Sequence, residues 1–202
     1  MTSRRFSFYG NKLLTSGEGG VVTTDNDSLA STARRLRGQG MDPERRYWFP
    51  VIGYNYRMTN VAAAILCAQL ERREDFMKSR NDIYAHYTKR LVGQTGVHLQ
   101  KEVEETTRSP WLYSILIDSA SDWVNRDGLM RHLAEAGIET RPFFPPVHLL
   151  PPYQNESIAA PVLPVTNLVA ASGLNLPTYV NLSIDSVDLI CDEIINYVQG
   201  AE

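Results

Sequence analysis

The chain has 202 residues, 43% of them hydrophobic and 21% charged, and its 20 basic and 23 acidic side chains leave a formal net charge of −3. That is enough chain for one large domain or two small ones with a buried core, and the composition is not that of a disordered, collagenous or membrane protein. Nor does the charge balance make a case for nucleic acid, which is held by concentrated basic surface. Arg34, Arg35 and Arg37, like Arg45 and Arg46, read as a solvated helix face and a loop.

Residues 6–9 read as a short strand. The GEGG of residues 17–20 is a tight turn, because glycine accepts positive φ freely. Residues 21–24, VVTT, are β-branched throughout and predict a second strand. A helix follows over 26–37, capped by Asp25, Asn26 or Asp27 and closed by Gly38. Residues 39–56 mix proline, glycine and aromatics without a period, which marks a long irregular loop of the kind that often carries function. Thr59 caps a long helix over 60–91, whose apolar positions recur at helical spacing. A helix of that length bridges two lobes or packs against a partner.

The texture changes after Gly93, where a domain boundary is expected. Residues 111–118 form the strongest strand. Asn125 caps a helix that ends near Gly137 with Leu129, Leu133 and Ala136 inward, and a short strand then runs into a proline-rich loop. Residues 150–180 are loop-rich with a helix over 164–172. Ser186 caps a closing helix with Leu189, Ile190, Ile194 and Val198 as its apolar stripe. Cys67 and Cys191 both fall in predicted amphipathic helices without metal-ligand spacing, so they are expected to be buried free thiols of a reducing compartment. The first ten residues hold no apolar run of signal-peptide length, and the stretch 61–70 is too short to span a bilayer. A soluble cytoplasmic protein is expected.

The most informative stretch is FSFYGNKLLTSGEGGVVTT, residues 6–24, with one lysine between an aromatic strand and a glycine turn. Lys12 admits three roles. A surface lysine is the ordinary one. A phosphate loop is excluded, because it needs its glycines before the lysine and here they follow it. A Schiff-base lysine is the third: an amine whose pKa is lowered by burial or neighbouring cations attacks an aldehyde.

The segments FSFYGNKLLTSGEGGVVTTDNDSLA and LRGQGMDPERRYWFPVIGYNYRMTNVAAAILCAQLE resemble the lysine region of the DegT/DnrJ/EryC1/StrS sugar aminotransferases. GIETRPFFPPVHLLPPY and GLNLPTYVNLSIDSVDLICDEI are similar to that family's C-terminal lobe. Within the family, GQGMDPERRYWF followed by GYNYRMTN looks most like the perosamine-synthase group, which aminates C4 of a nucleotide-linked 4-keto-6-deoxy sugar. The resemblance implies an α/β fold that is part of the type I aminotransferase architecture. Residues 1–58 would be the end of the large cofactor domain, 59–93 a long linking helix, and 94–202 a small α+β domain.

It also implies pyridoxal 5′-phosphate as cofactor, a nucleotide-linked keto sugar as substrate and glutamate as amino donor. Lys12 matches the lysine that forms the Schiff base and later moves the proton. Ser7 matches a serine on the cofactor phosphate, on one strand face with Tyr9; a solvent-facing strand residue is its other reading. Asn55 matches the asparagine that reaches the phosphate of the neighbouring subunit's cofactor; a plain loop-turn residue is its other reading. Arg57 and His148 are substrate-binding candidates, with a structural salt bridge and a structural loop histidine as the alternatives. Trp48 and Phe49 either line a sugar-nucleotide pocket or anchor their loop.

Members of this family are about twice as long, and the aspartate that pairs with the cofactor's ring nitrogen precedes their lysine segment. Here eleven residues precede Lys12 and none is acidic. Two functions stand on this. In one, the chain is the C-terminal portion of a sugar-nucleotide aminotransferase, a homodimer or the partner of a complementary N-terminal half. In the other it is a catalytically inactive oligomerisation or interaction module. A dehydratase branch of the family carries histidine in place of the lysine, and Lys12 argues against that branch. Without its N-terminal half the chain is expected to expose sheet edge and apolar surface.

Overall fold

A computed structural model describes residues 3–118, 124–154 and 162–200. Part of the loop-rich stretch expected over 150–180 lies outside them. The chain divides into two compact units, residues 1–75 and 76–202.

The first unit opens with a hairpin. Strand β1 (Ser3–Ser7) pairs antiparallel with β2 (Gly20–Thr24), in a register that sets Ser7 opposite Gly20. The first strand thus starts and ends earlier than expected, and Tyr9 lies beyond it rather than on a strand face with Ser7. Helix α1 (Asp27–Arg37) is capped by Asn26, whose Oδ1 accepts from the Leu29 amide at 2.7 Å, and Gly38 closes it by donating to the Arg34 and Arg35 carbonyls. The irregular loop after it is pinned back onto the helix end, with Tyr54 N–H donating to Leu36 O and Tyr56 N–H to Arg37 O. Inside it, Gly40 (φ +79°) is required, because a Cβ there would sit 2.0 Å from Val51 O. Helix α2 (Asn60–Glu71) starts at Thr59, whose hydroxyl accepts from the Ala62 amide.

The helix expected over 60–91 is two helices. Arg72 (φ −104°, ψ 15°) leaves the helical geometry between α2 and α3 (Arg73–Leu91). The division between the two compact units falls in the first turn of α3.

The second unit is a four-stranded antiparallel sheet in the order β3–β4–β6–β5, with β3 at Val97–Leu99, β4 at Tyr113–Ile117, β5 at Arg141–Pro142 and β6 at Gly173–Leu176. Alternation along the central strands decides the core. Tyr113, Ile115 and Ile117 of β4 and Leu174 and Leu176 of β6 are buried, while Ser114 and Asn175 between them face the other way. Helix α3 contributes Ile83, Tyr84, Tyr87 and Leu91 to this core, α4 (Arg126–Glu135) contributes Leu129 and Leu133, and α6 (Ile184–Gln199) contributes Val187, Ile190, Cys191 and Ile194. Helix α5 (Pro164–Ser172) lies where expected and runs straight into β6.

Three details differ from the sequence expectation. Ser183, not Ser186, caps α6; its hydroxyl accepts from the Ser186 amide at 3.1 Å. Leu189 points outward at 54% exposure, because the buried stripe runs through Val187, Cys191 and Ile194 instead. Ala136 is exposed, and Ile138, beyond the left-handed Gly137, fills the core position. Of the two thiols Cys191 is buried as expected, whereas Cys67 is exposed, since α2 turns that face outward.

Candidate functional site

Lys12 sits in the hairpin loop between β1 and β2, and backbone and hydroxyl bonds hold that loop in one shape. Phe8 N–H donates to Gly19 O at 3.0 Å, Lys12 N–H to Tyr9 O at 2.9 Å, and Ser16 N–H to Phe8 O at 3.1 Å. The hydroxyl of Thr15 donates to Phe8 O at 2.9 Å and accepts from Gly17 N–H at 2.8 Å. Ser16, a buried polar residue, donates through its hydroxyl to Glu18 O at 2.6 Å. Gly17 (φ +84°) and Gly19 (φ +105°) supply the left-handed turns the loop needs. Thr15 N–H also donates to Gln69 Oε1 of α2 at 3.0 Å, which ties the loop to the helix below it. Lys12 itself is half-buried.

Thr15, Ser16 and Gln69 were not singled out from the sequence. The TSGEGG run held the signal: small hydroxyl residues beside turn glycines satisfy a turn's backbone locally. Ser7 is exposed at the end of β1, and its Oγ accepts weakly from Tyr9 N–H at 3.4 Å. Asn55 is exposed and forms an isolated bridge to Gly38 at the end of α1. Arg57, two residues on, is exposed as well. Met58 lies against the lysine loop, since a Cβ at Gly19 would meet Met58 Cε at 2.8 Å. Ser7, Lys12, Asn55 and Arg57 therefore all belong to the first unit.

The aromatic loop has its own order. The Asp42 carboxylate accepts from the amides of Glu44 and Arg45 at 2.9 and 3.0 Å, and these bonds hold it below the usual carboxylate range. The Arg45 guanidinium lies 4.2 Å from the Trp48 ring centroid, and Tyr54 stacks on Tyr56 at 5.1 Å. Trp48 and Phe49 remain half exposed. His148 is placed in the second unit, in a 3-10 turn (Val147–Leu149), half-buried. Among the described residues no group of His, Cys, Asp and Glu could hold a metal ion, and no helix is long and apolar enough to cross a membrane.

Residues 2–195 match the model of the DegT/DnrJ/EryC1/StrS aminotransferase family. The chain is 42% identical over 186 residues to a GDP-perosamine synthase of Caulobacter vibrioides, covering 92% of this chain and 49% of that protein. It is 43% identical over 192 residues to a GDP-perosamine synthase of Vibrio cholerae, covering 95% and 52%. The crystal structure of DesV from S. venezuelae in complex with a ketimine intermediate superimposes with a TM-score of 0.87 at 29% identity, covering 98% of this chain and 52% of that one. The chain thus spans about half the length of the curated relatives it matches, and its fold is the corresponding part of an α/β aminotransferase.

Proposed function

Because this chain belongs to the DegT/DnrJ/EryC1/StrS aminotransferase family, we propose that it is the lysine-bearing portion of a sugar-nucleotide aminotransferase of the perosamine-synthase type, acting with pyridoxal 5′-phosphate on a nucleotide-linked 4-keto-6-deoxyhexose with glutamate as amino donor. The observation that carries this is the Lys12 loop. A primary amine stands on a turn whose neighbours Thr15, Ser16, Gly17 and Gly19 fix its backbone, and this preorganises a single reactive side chain.

The donor set suits the cofactor: an amine for its aldehyde, and the Ser7 hydroxyl and Asn55 amide for phosphate oxygens. When bound, that group supplies the electron sink for amino transfer. Lys12 anchors it and then moves the proton at Nζ. Arg57 and His148 are proposed to contact the substrate. The ring-nitrogen side of the site needs groups from a complementary N-terminal half or a second copy. The apolar side chains the first unit leaves exposed, Tyr9, Tyr47, Ile52 and Tyr56 among them, favour such a partner; the same exposure is what a purely assembling module would show.

The test is co-expression with the N-terminal half of a GDP-perosamine synthase. The expected result is a yellow complex in which borohydride fixes the cofactor on Lys12, with amination of the keto sugar nucleotide that Lys12→Ala abolishes. Turnover by the Lys12→Ala complex would overturn the proposal, and assembly without labelling or turnover would favour the module.

A further inference from the structure

The second unit carries a cleft of about 950 Å³ on the sheet face turned away from the core, where the Ser114 hydroxyl of β4 donates to Asn175 Oδ1 of β6 at 2.7 Å. That volume is in the range of small-molecule sites. Trp111, Leu112, Phe143 and Phe144 give it an apolar wall. Trp111 and Leu112 come just before the central strands begin to pair. The β4–β6 register starts at Tyr113 opposite Leu176, and Tyr113 N–H donates to Thr178 Oγ1 at 3.0 Å. Pro110, fully buried, has no N–H to give. This stretch of the wall therefore lacks the ladder bonds that order the strand after it.

Helix α3 supplies what the ladder does not. Arg80 and Tyr84 stand one turn apart on the same helix face. Arg80 donates through Nη1 to Trp111 O, and the Tyr84 phenol oxygen takes a bond from the Trp111 backbone. One helix thus holds the backbone of one wall residue at two points. The Arg80 half of this arrangement is unfavourable in itself. The residue is buried at 5% exposure, its Nε has no hydrogen-bond partner, and burial pulls the guanidinium below the usual arginine range. No carboxylate offsets that burial among the described ion pairs. A buried charge without a partner lowers stability, and an apolar side chain of similar length in its place removes the penalty. Its hydrogen bond goes to the wall of the cleft.

We propose that Arg80 and Tyr84 are positioning residues: they clamp the Trp111 backbone from α3 and hold the apolar wall of the cleft in shape before any ligand arrives, at the expense of the unit's stability. When Arg80 is removed, the Trp111 carbonyl has to find water, and the wall loosens to admit it. The core behind the wall, with Ile115, Ile117 and Leu174, is apolar and does not rely on that bond. The clamp lies wholly within the second unit, so it holds whatever chemistry Lys12 performs.

The experiment uses the full 202-residue chain labelled with 5-fluorotryptophan, the Trp111 fluorine line being assigned by its loss in Trp111→Phe. Amide exchange and urea unfolding complete the readouts. In Arg80→Met, which keeps a long apolar stem, the Trp111 line should broaden or split. The Trp111 amide should exchange about tenfold faster, the order expected for one charge-assisted bond. The Ile115 and Ile117 amides should stay within about threefold of wild type, and the urea midpoint should hold or rise. Arg80→Lys keeps the charge and a donor and should restore the Trp111 line in part. Tyr84→Phe keeps the ring and should loosen Trp111 as Arg80→Met does; it decides the matter if the Arg80 variants fail to fold. The proposal is overturned if the Trp111 line and amide stay as in wild type in the folded variants. It is equally overturned if Ile115 and Ile117 lose as much protection as Trp111, or if the urea midpoint falls in Arg80→Met, because Arg80 is then an ordinary support of the core.

Discussion

Replacing Thr15 with alanine is expected to loosen the lysine loop without touching the lysine. The hydroxyl of Thr15 donates to Phe8 O and accepts from Gly17 N–H, at 2.9 and 2.8 Å. Each bond of this kind contributes roughly 0.5–1.5 kcal/mol net, so the pair is worth about 1–3 kcal/mol of local order. That converts to roughly 5- to 150-fold in the opening equilibrium of the loop, at about 1.4 kcal/mol per factor of ten. Native-state amide exchange reads it directly. Gly17 N–H, which donates to the lost oxygen, and Ser16 N–H, which donates to Phe8 O, should lose protection by that factor in Thr15→Ala. The core amides of β4 should not change. Thr15→Ser keeps the hydroxyl and should stay close to wild type, and borohydride labelling of Lys12 in the complemented complex should fall with Thr15→Ala and recover with Thr15→Ser. Protection at Gly17 within twofold of wild type in Thr15→Ala, or a serine variant as loose as the alanine one, would refute the claim that this hydroxyl fixes the loop.

Leu133 of α4 is fully buried between the sheet and α6, so Leu133→Ala should lower the stability of the second unit by about 2–5 kcal/mol in urea unfolding; a loss under about 1 kcal/mol would contradict its place in the core. The Asp188 carboxyl is held below the usual range, first by its bond to His86 and then by the charges of His86 and Arg90, against desolvation. A depressed folded-state pKa gives stability that is present above the unfolded value near 3.8 and lost as pH falls through the folded one. Acid titration from pH 5 to 2 should therefore show a slope that Asp188→Asn flattens, and an unchanged slope would remove Asp188 from that role. Cys67 is exposed, whereas burial pushes the Cys191 thiol up to about 12. A thiol reagent should accordingly titrate one cysteine in the native chain and two in denaturant, and Cys67→Ser should abolish the native reaction.

What the sequence made legible follows from where the physics is local. Turn glycines announce themselves because only glycine tolerates Gly17 and Gly19, and the caps at Asn26, Thr59 and Asn125 lie next to the amides they serve. Residues 111–118 read as a strand, and β4 lies within them with Tyr113, Ile115 and Ile117 on its buried face. The failures are contextual. The break at Arg72 lies inside a run of good helix formers, ERRE, where propensity offers no stop signal. Leu189 and Ala136 satisfy a helical period yet face outward, because the stripe a helix buries is chosen by its neighbours. Cys67 is exposed for the same reason. In the candidate site, Lys12 was visible by motif and the hydroxyl-and-glycine run TSGEGG hinted at the local bonds of Thr15 and Ser16, but the bond from Thr15 N–H to Gln69 joins residues 54 apart in the chain and had no sequence signal of its own.

The two units differ in how they are stabilised, and that difference bears on function. Among the described buried apolar residues, Leu66 alone lies in the first unit; the rest, from Ile83 to Ile194, are in the second. Burial of apolar surface is the main term that offsets the entropy of ordering a chain. The second unit has that term in full, with stacked and edge-on tyrosines at Tyr84, Tyr87 and Tyr113 closing its core. The first unit instead holds its shape through local hydrogen bonds, turn glycines and an aromatic loop pinned by Asp42 and Gly40. Tyr9, Trp48, Ile52 and Tyr56 stay in solvent while the unit orders a lysine loop around Thr15 and Ser16. Order without burial is weak against thermal opening, so a site that needs Lys12 held still gains most from whatever covers those aromatics. Covering them and fixing the lysine are then one event, which makes completion of the first unit's surface the step on which the proposed aminotransferase chemistry depends.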